Sequence, residues 1–170
     1  FNGCSSLTEI VIPSSVKNIE DYAFNSCISL KKITMDPYIT SIQSNSFNDC
    51  CSLKHFLLSP SVSVIAPYNF TKIGNITHIT TPPFLSFIND SSFSKCSTVV
   101  KISIISSIRY IGKSSFIGCS SLTKIIIPSS IEKMKNCVFD NCLAITEVTI
   151  PPSVTVIGCY AFCNFISLKK

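Results

Sequence analysis

No stretch of about 18 uncharged apolar residues occurs in this 170-residue chain, so the sequence holds no helix able to cross a membrane. Charge is sparse, at 14% of residues, and never gathers into a run of one sign. The formal excess of +5 predicts at most a slightly basic face, and without an aromatic stripe beside it nucleic acid is a poor partner. Glycine-rich phosphate loops and Cys-x-x-Cys pairs are both missing, which removes the usual nucleotide and structural-zinc signatures. Only two histidines are present, and neither has an acid to orient it, so no nucleophile–base–acid constellation can be drawn. The sequence predicts no enzyme, with catalytic residues, metal ligands and cofactors each expected to be none. A start Met, a signal peptide and distinct caps are also lacking, which reads as a piece of a longer array.

What the chain has is repetition. Phenylalanine stands at 1, 24, 47, 70, 93, 116, 139 and 162, eight residues at one unbroken spacing of 23. A period between 20 and 50 residues is the mark of a solenoid. Counting each copy from its Phe as zero, position +3 is Cys in six copies (Cys4, Cys27, Cys50, Cys96, Cys119, Cys142). Position +6 is Leu, Ile or Val throughout, from Leu7 to Leu168. Positions +9 (Ile10, Ile33, Phe56, Ile79, Ile102, Ile125, Val148) and +11 (Ile12 to Ile150) are apolar apart from Thr81. So are +15 (Val16 to Val154) and +18 (Ile19 to Ile157).

Each column predicts one inward-facing ladder. Alternation over +8 to +11 with β-branched residues is strand periodicity with one buried face. Proline follows at +12 or +13 in most copies and ends the strand, since it has no N–H to donate. The pair at +15 and +18 starts a second short extended segment. The step from Phe at zero to Cys at +3 fits one turn of 3₁₀ helix, where i and i+3 eclipse. A single coil cannot bury its apolar side alone, so stability comes from stacking coil on coil.

The segments Leu7–Ile10–Ile12 and Leu122–Ile125–Ile127 resemble the LxxIxI strand motif of leucine-rich repeats. The usual buried Asn ladder is absent: its place at +14 holds Ser15, Tyr38, Ser61, Phe84, Ser107, Ser130 and Ser153. The stretches IPSSVKNIEDYAFNSCISL (12–30) and FIGCSSLTKIIIPSSI (116–131) resemble the BspA-like, or Treponema pallidum-type, leucine-rich repeats. The match spans 1–170 as one domain of seven full copies and a partial eighth, weakest over 70–92. That resemblance implies a β-dominated, right-handed leucine-rich repeat solenoid of 23-residue coils. A parallel β-sheet would line its concave face, with short strands and 3₁₀ turns on the convex side. It also implies a non-enzymatic surface protein of anaerobic bacteria or parasitic protists, used in adhesion.

The candidate binding residues follow from register. Position +8 carries Glu9, Lys32, His55, His78, Lys101, Lys124 and Glu147, and position +10 carries Thr34, Thr80, Ser103, Ile126 and Thr149 among others. Sheet geometry puts both columns on one surface, basic in its middle, which suits a protein or glycan partner of acidic character. A merely solvated face is the plain alternative. His55 and His78 share the +8 column, but two imidazoles flanked by lysines make a poor metal site. The expected location is the cell surface or outside the cell, with an intracellular protein scaffold as the alternative.

Two features fall outside this pattern. Cys51, Cys137, Cys159 and Cys163 lie off the cysteine ladder, and any disulfide or reactive thiol is expected among them, the ladder thiols being expected buried and reduced. The fourth copy has Ile73 for Cys, a Pro82-Pro83 pair, Phe84 and Phe87, and sequons at Asn69, Asn75 and Asn89. Drift explains these, or else an outward bulge carrying glycans or a contact.

Overall fold

The computed structural model describes residues 1–54 and 56–169. In chain order the strands are β1 (Glu9–Val11), β2 (Asn18–Ile19), β3 (Lys32–Thr34), β4 (Ser41–Ile42), β5 (Val64–Ile65), β6 (His78–Thr80), β7 (Phe87–Ile88), β8 (Lys101–Ser103), β9 (Tyr110–Ile111), β10 (Lys124–Ile126), β11 (Lys133–Met134), β12 (Glu147–Thr149) and β13 (Val156–Ile157). Three-residue strands occupy +8 to +10 and two-residue strands occupy +17 and +18, so among the described residues every full coil but the third offers one strand to each of two faces. Every pairing is parallel and joins residues 23 apart, as in Glu9 with Lys32 and His78 with Lys101. Among the described residues there is no helix. The architecture is the parallel-strand solenoid that the repeat predicts.

Phenylalanine forms the spine. Seven successive ring pairs, from Phe1–Phe24 to Phe139–Phe162, stack with centroids 5.3–6.0 Å apart and planes within 14° of parallel. Spacing near the roughly 4.8 Å inter-strand distance lets each ring rest on the next, and the inner rings Phe47, Phe70, Phe116 and Phe139 are fully buried. The ladders at +6, +15 and +18 are buried along the middle of the rod (Leu30 to Ile145, Ile39 to Ile131, Ile19 to Met134). Position +11 is shallower than its apolar pattern predicts, with Met35, Leu58 and Ile104 only half-buried and Ile150 exposed. Thr81, the hydroxyl in that column, is buried and donates to the Ser103 carbonyl at 3.0 Å.

The Phe-to-Cys step departs from expectation. Its i to i−3 hydrogen bond is present, as in Cys27 N to Phe24 O at 3.2 Å. A 3₁₀ turn needs negative φ throughout, yet Ser26, Asp49, Lys72, Lys95, Asn141 and Asn164 at +2 all have φ between 55° and 62°. Gly3 and Gly118 hold the same position with φ of 73° and 72°. A second left-handed residue recurs two before each Phe, at Tyr22, Asn45, Tyr68, Ser91, Ser114, Cys137 and Tyr160. The corner is therefore a run of β-turns reversed twice per coil, which bends the chain more sharply than one turn of 3₁₀ helix.

Among the described residues neither sheet is continuous. The first face consists of β1–β3 and, apart from them, β6–β8–β10–β12; the second consists of β2–β4–β5–β7–β9 and β11–β13. The break in the first face falls at the third coil, where Phe56 takes the place of the aliphatic residue at +9.

Candidate functional site

The first face sets the +8 and +10 side chains outward by strand alternation. Glu9, Lys32, His78, Lys101 and Lys124 are exposed at +8, and Glu147 is half-buried. At +10, Thr34, Thr80, Ile126 and Thr149 are exposed and Ser103 is half-buried. Backbone pairing brings Glu9 beside Lys32, His78 beside Lys101, Lys101 beside Lys124, and Lys124 beside Glu147. His55 lies outside the described residues, and with it the expected histidine pair.

The charges are arranged less evenly than the sequence pattern alone conveys. Lys124 Nζ donates to Glu147 Oε2 at 3.1 Å, an exposed ion pair that spends part of the positive potential internally. Lys101 has no such partner among the described residues and is the open cation at the centre of the row. The Thr77 hydroxyl and His78 Nδ1 lie 2.9 Å apart, which fixes the imidazole plane. The face thus combines an imidazole, an open lysine, hydroxyls at +10 and the exposed apolar side chains Val11, Leu57 and Ile126. It has hydrogen-bonding and ion-pairing capacity.

The cysteine ladder shows chemistry that the sequence pattern does not. Cys27, Cys50, Cys96, Cys119 and Cys142 are buried, as the periodicity predicts, and Cys4 is exposed. Each buried thiol donates to the carbonyl of the Phe 26 residues earlier: Cys50 to Phe24, Cys96 to Phe70, Cys142 to Phe116, at 3.1–3.2 Å. These cysteines therefore act as donors between coils as well as small apolar fillers. Burial pushes the Cys50 thiol up to about 12, reinforced by the neighbouring Cys27. Cys142 is raised as well, first by its bond with Cys119 and then by burial. Off the ladder, Cys51 and Cys159 are exposed, Cys137 and Cys163 half-buried.

The fourth copy is now concrete. Asn69 is fully buried with its amide donating to the Ile42 carbonyl at 3.1 Å, so this sequon is closed to glycosylation in the folded chain. Asn75 is exposed, and Asn89 is half-buried with its amide on the Ile65 carbonyl at 3.0 Å. Phe84 and Phe87 are both exposed, the former at 68%. Sequence reasoning placed Phe56 in the core column, where its half-buried ring stands edge-on to Phe47 and Phe70. It is the one aromatic among six aliphatic residues at +9.

Comparison with known proteins agrees with this geometry. The family profile of the BspA type leucine rich repeat region (6 copies) matches residues 1–114 and 86–170. A leucine-rich repeat protein from Bacteroides ovatus superposes with a TM-score of 0.89 at 28% identity, over 93% of this chain and 41% of that one. The T. pallidum leucine rich repeat protein superposes with a TM-score of 0.67 at 24% identity, over 100% and 69%. A leucine rich cell surface protein from Faecalibacterium prausnitzii gives 0.68 at 22% identity, over 99% and 60%. These last two likenesses concern the fold alone. The chain spans less than half the length of the Bacteroides protein. No curated protein matches the sequence.

Proposed function

The chain belongs to the BspA type leucine rich repeat family, and from that premise we propose that it is a non-enzymatic binding module of a cell-surface adhesion protein. It holds a protein or glycan partner, acidic in character, on the first sheet face. The observation that carries this reading is the in-register row His78–Lys101–Lys124–Glu147 along four paired strands, its first three members exposed and its centre basic. Solenoid faces of this kind are extended binding surfaces, and a positive row steers and orients a negative partner. Glu9, Lys32, Thr34, Thr80, Ser103, Ile126 and Thr149 extend the footprint. Surface location is in keeping with the Faecalibacterium relative, which is described as a cell surface protein.

The double variant Lys101→Glu/Lys124→Glu tests the row. Binding of the chain to heparin and to an extracellular-matrix preparation is expected to fall at least about tenfold and to lose its salt dependence. Unchanged binding rejects this face. A second reading, an intracellular scaffold for protein partners, is favoured by the thiol ladder, because only reduced cysteines can donate to the Phe carbonyls. Thiol counting on protein taken from its native cells separates the two.

A further inference from the structure

The second face lies wholly within the described residues and has an order of its own. Over the first six coils its outward column at +17 reads Asn18, Ser41, Val64, Phe87, Tyr110 and Lys133. Backbone register sets Val64 beside Phe87 and Phe87 beside Tyr110. Val64 is 39% and Phe87 44% exposed, Tyr110 is half-buried, and the two ring centroids are 6.4 Å apart. An apolar stripe thus runs along the middle of this face. The sixth coil joins it where Lys135 Nζ stands 5.5 Å from the Tyr110 ring centroid, although β9 and β11 are not paired. An exposed apolar stripe rimmed by charge marks a contact with another protein surface.

Charges stand at the two ends of the stripe. The first coil carries Lys17 at +16 and Glu20 at +19, and the sixth carries Glu132 and Lys135 at the same two positions. All four are exposed, and neither ion pair among the described residues involves them. Laid against itself with the coil order reversed, the face meets its own complement. First coil against sixth sets Lys17 opposite Glu132 and Glu20 opposite Lys135. Second against fifth sets Thr40 opposite Arg109 and Ser41 opposite Tyr110, and third against fourth sets Val64 opposite Phe87. At +16, +17 and +19 no like charges confront each other.

We infer that the second face pairs with the second face of another copy of this chain, in a two-fold dimer whose axis runs parallel to the strands between the third and fourth coils. Such an axis reverses the order of coils and keeps the strand direction, so every column meets itself and each opposition occurs twice. Val64 and Phe87 of both copies form the centre, screened from water, and the charged ends set the register. A second copy is the occupant because the face supplies its own opposite charges at matching distances from that axis. The inference does not rest on the reading of the first face, whose strands it leaves unused.

The test is sedimentation equilibrium of the full chain in reductant, where a monomer–dimer equilibrium is expected. Phe87→Ser, at a surface position, is expected to weaken dimerisation at least about tenfold with the circular dichroism spectrum unchanged. Glu20→Lys and Lys135→Glu each set like charges opposite each other, and each is expected to weaken it about tenfold or more. The double variant Glu20→Lys/Lys135→Glu restores opposite charges and is expected to recover the parental affinity, a rescue that a folding fault at either residue cannot give. A monomer at every concentration, species that grow past two copies, a dimer indifferent to Phe87→Ser, or no recovery in the double variant overturns the inference. Lys101→Glu/Lys124→Glu is expected to leave the dimer unchanged; if it dissociates the dimer and Phe87→Ser does not, the contact runs through the first face and the inference fails.

Discussion

Asn69 shows how one side chain can sit against the grain of its own repeat. The position before each Phe is Ala23, Ser46, Asn69, Ser92, Ser115, Val138 and Ala161. Ser46 and Ser92 each hold a hydroxyl between two carbonyls, at 2.6 and 3.0 Å and at 2.7 and 3.2 Å, and donate their one proton there. Asn69 places one bond and leaves its Oδ1 buried with no partner. A buried acceptor without a donor costs about 1–3 kcal/mol. Asn69→Ser is therefore expected to raise stability by about 1 kcal/mol, measured as a shift in denaturation midpoint with unchanged slope; a fall in midpoint contradicts this account. The residue was visible in the sequence as a sequon, and only burial shows that its amide belongs to the core.

At the scale of the element, the phenylalanine ladder is the one aromatic stack among several buried ladders. An inner ring touches a ring above and a ring below, and a terminal one has a neighbour on one side only. Phe116 is fully buried, whereas Phe1 is 63% exposed. Phe116→Ala should cost about 3–5 kcal/mol by lost burial plus cavity, and Phe1→Ala only a small part of that, by chemical denaturation of each variant. Equal costs would mean that the rings are not a stacked ladder. The strands themselves are two or three residues long, too short to persist alone, so the sheets depend on these rings. Among the described residues the first face breaks at the third coil, while β4, β5 and β7 on the other run past it unbroken.

Taken whole, the molecule carries a thiol column through its interior, and that column gives it an alkaline limit. Unfolded, these thiols ionise near the ordinary value of 9.0; folded, Cys50 holds its proton to about 12, and Cys27 is also raised by burial. Below pH 9 both states keep their protons and the contribution is whole. Above it the unfolded chain releases protons that the folded chain retains, so stability falls as pH rises from about 9 towards 12. Thermal melts in reductant at pH 8 and pH 11 should show the drop, and Cys50→Ala should make it smaller; a flat profile rejects the buried-thiol assignment. In native protein at pH 8, Cys4, Cys51 and Cys159 should alkylate at once and the buried five only on unfolding.

Taken alone, the sequence determined the coil, its 23-residue length and the register of every column, because identical side chains must meet their copies one coil away for any coil to bury its apolar side. Phe24 above Phe47, Glu9 beside Lys32 and the buried Cys27 were all legible from spacing. Tertiary structure decided what spacing is blind to. The left-handed corners at Ser26 and Lys72 depend on backbone angles that serine and lysine do not announce. Lys124 met Glu147 while Lys101 stayed open, which depends on side-chain reach rather than on column. The Asn69 sequon closed because its amide turns to the Ile42 carbonyl inside the core, a matter of burial that exists only once the coils are stacked.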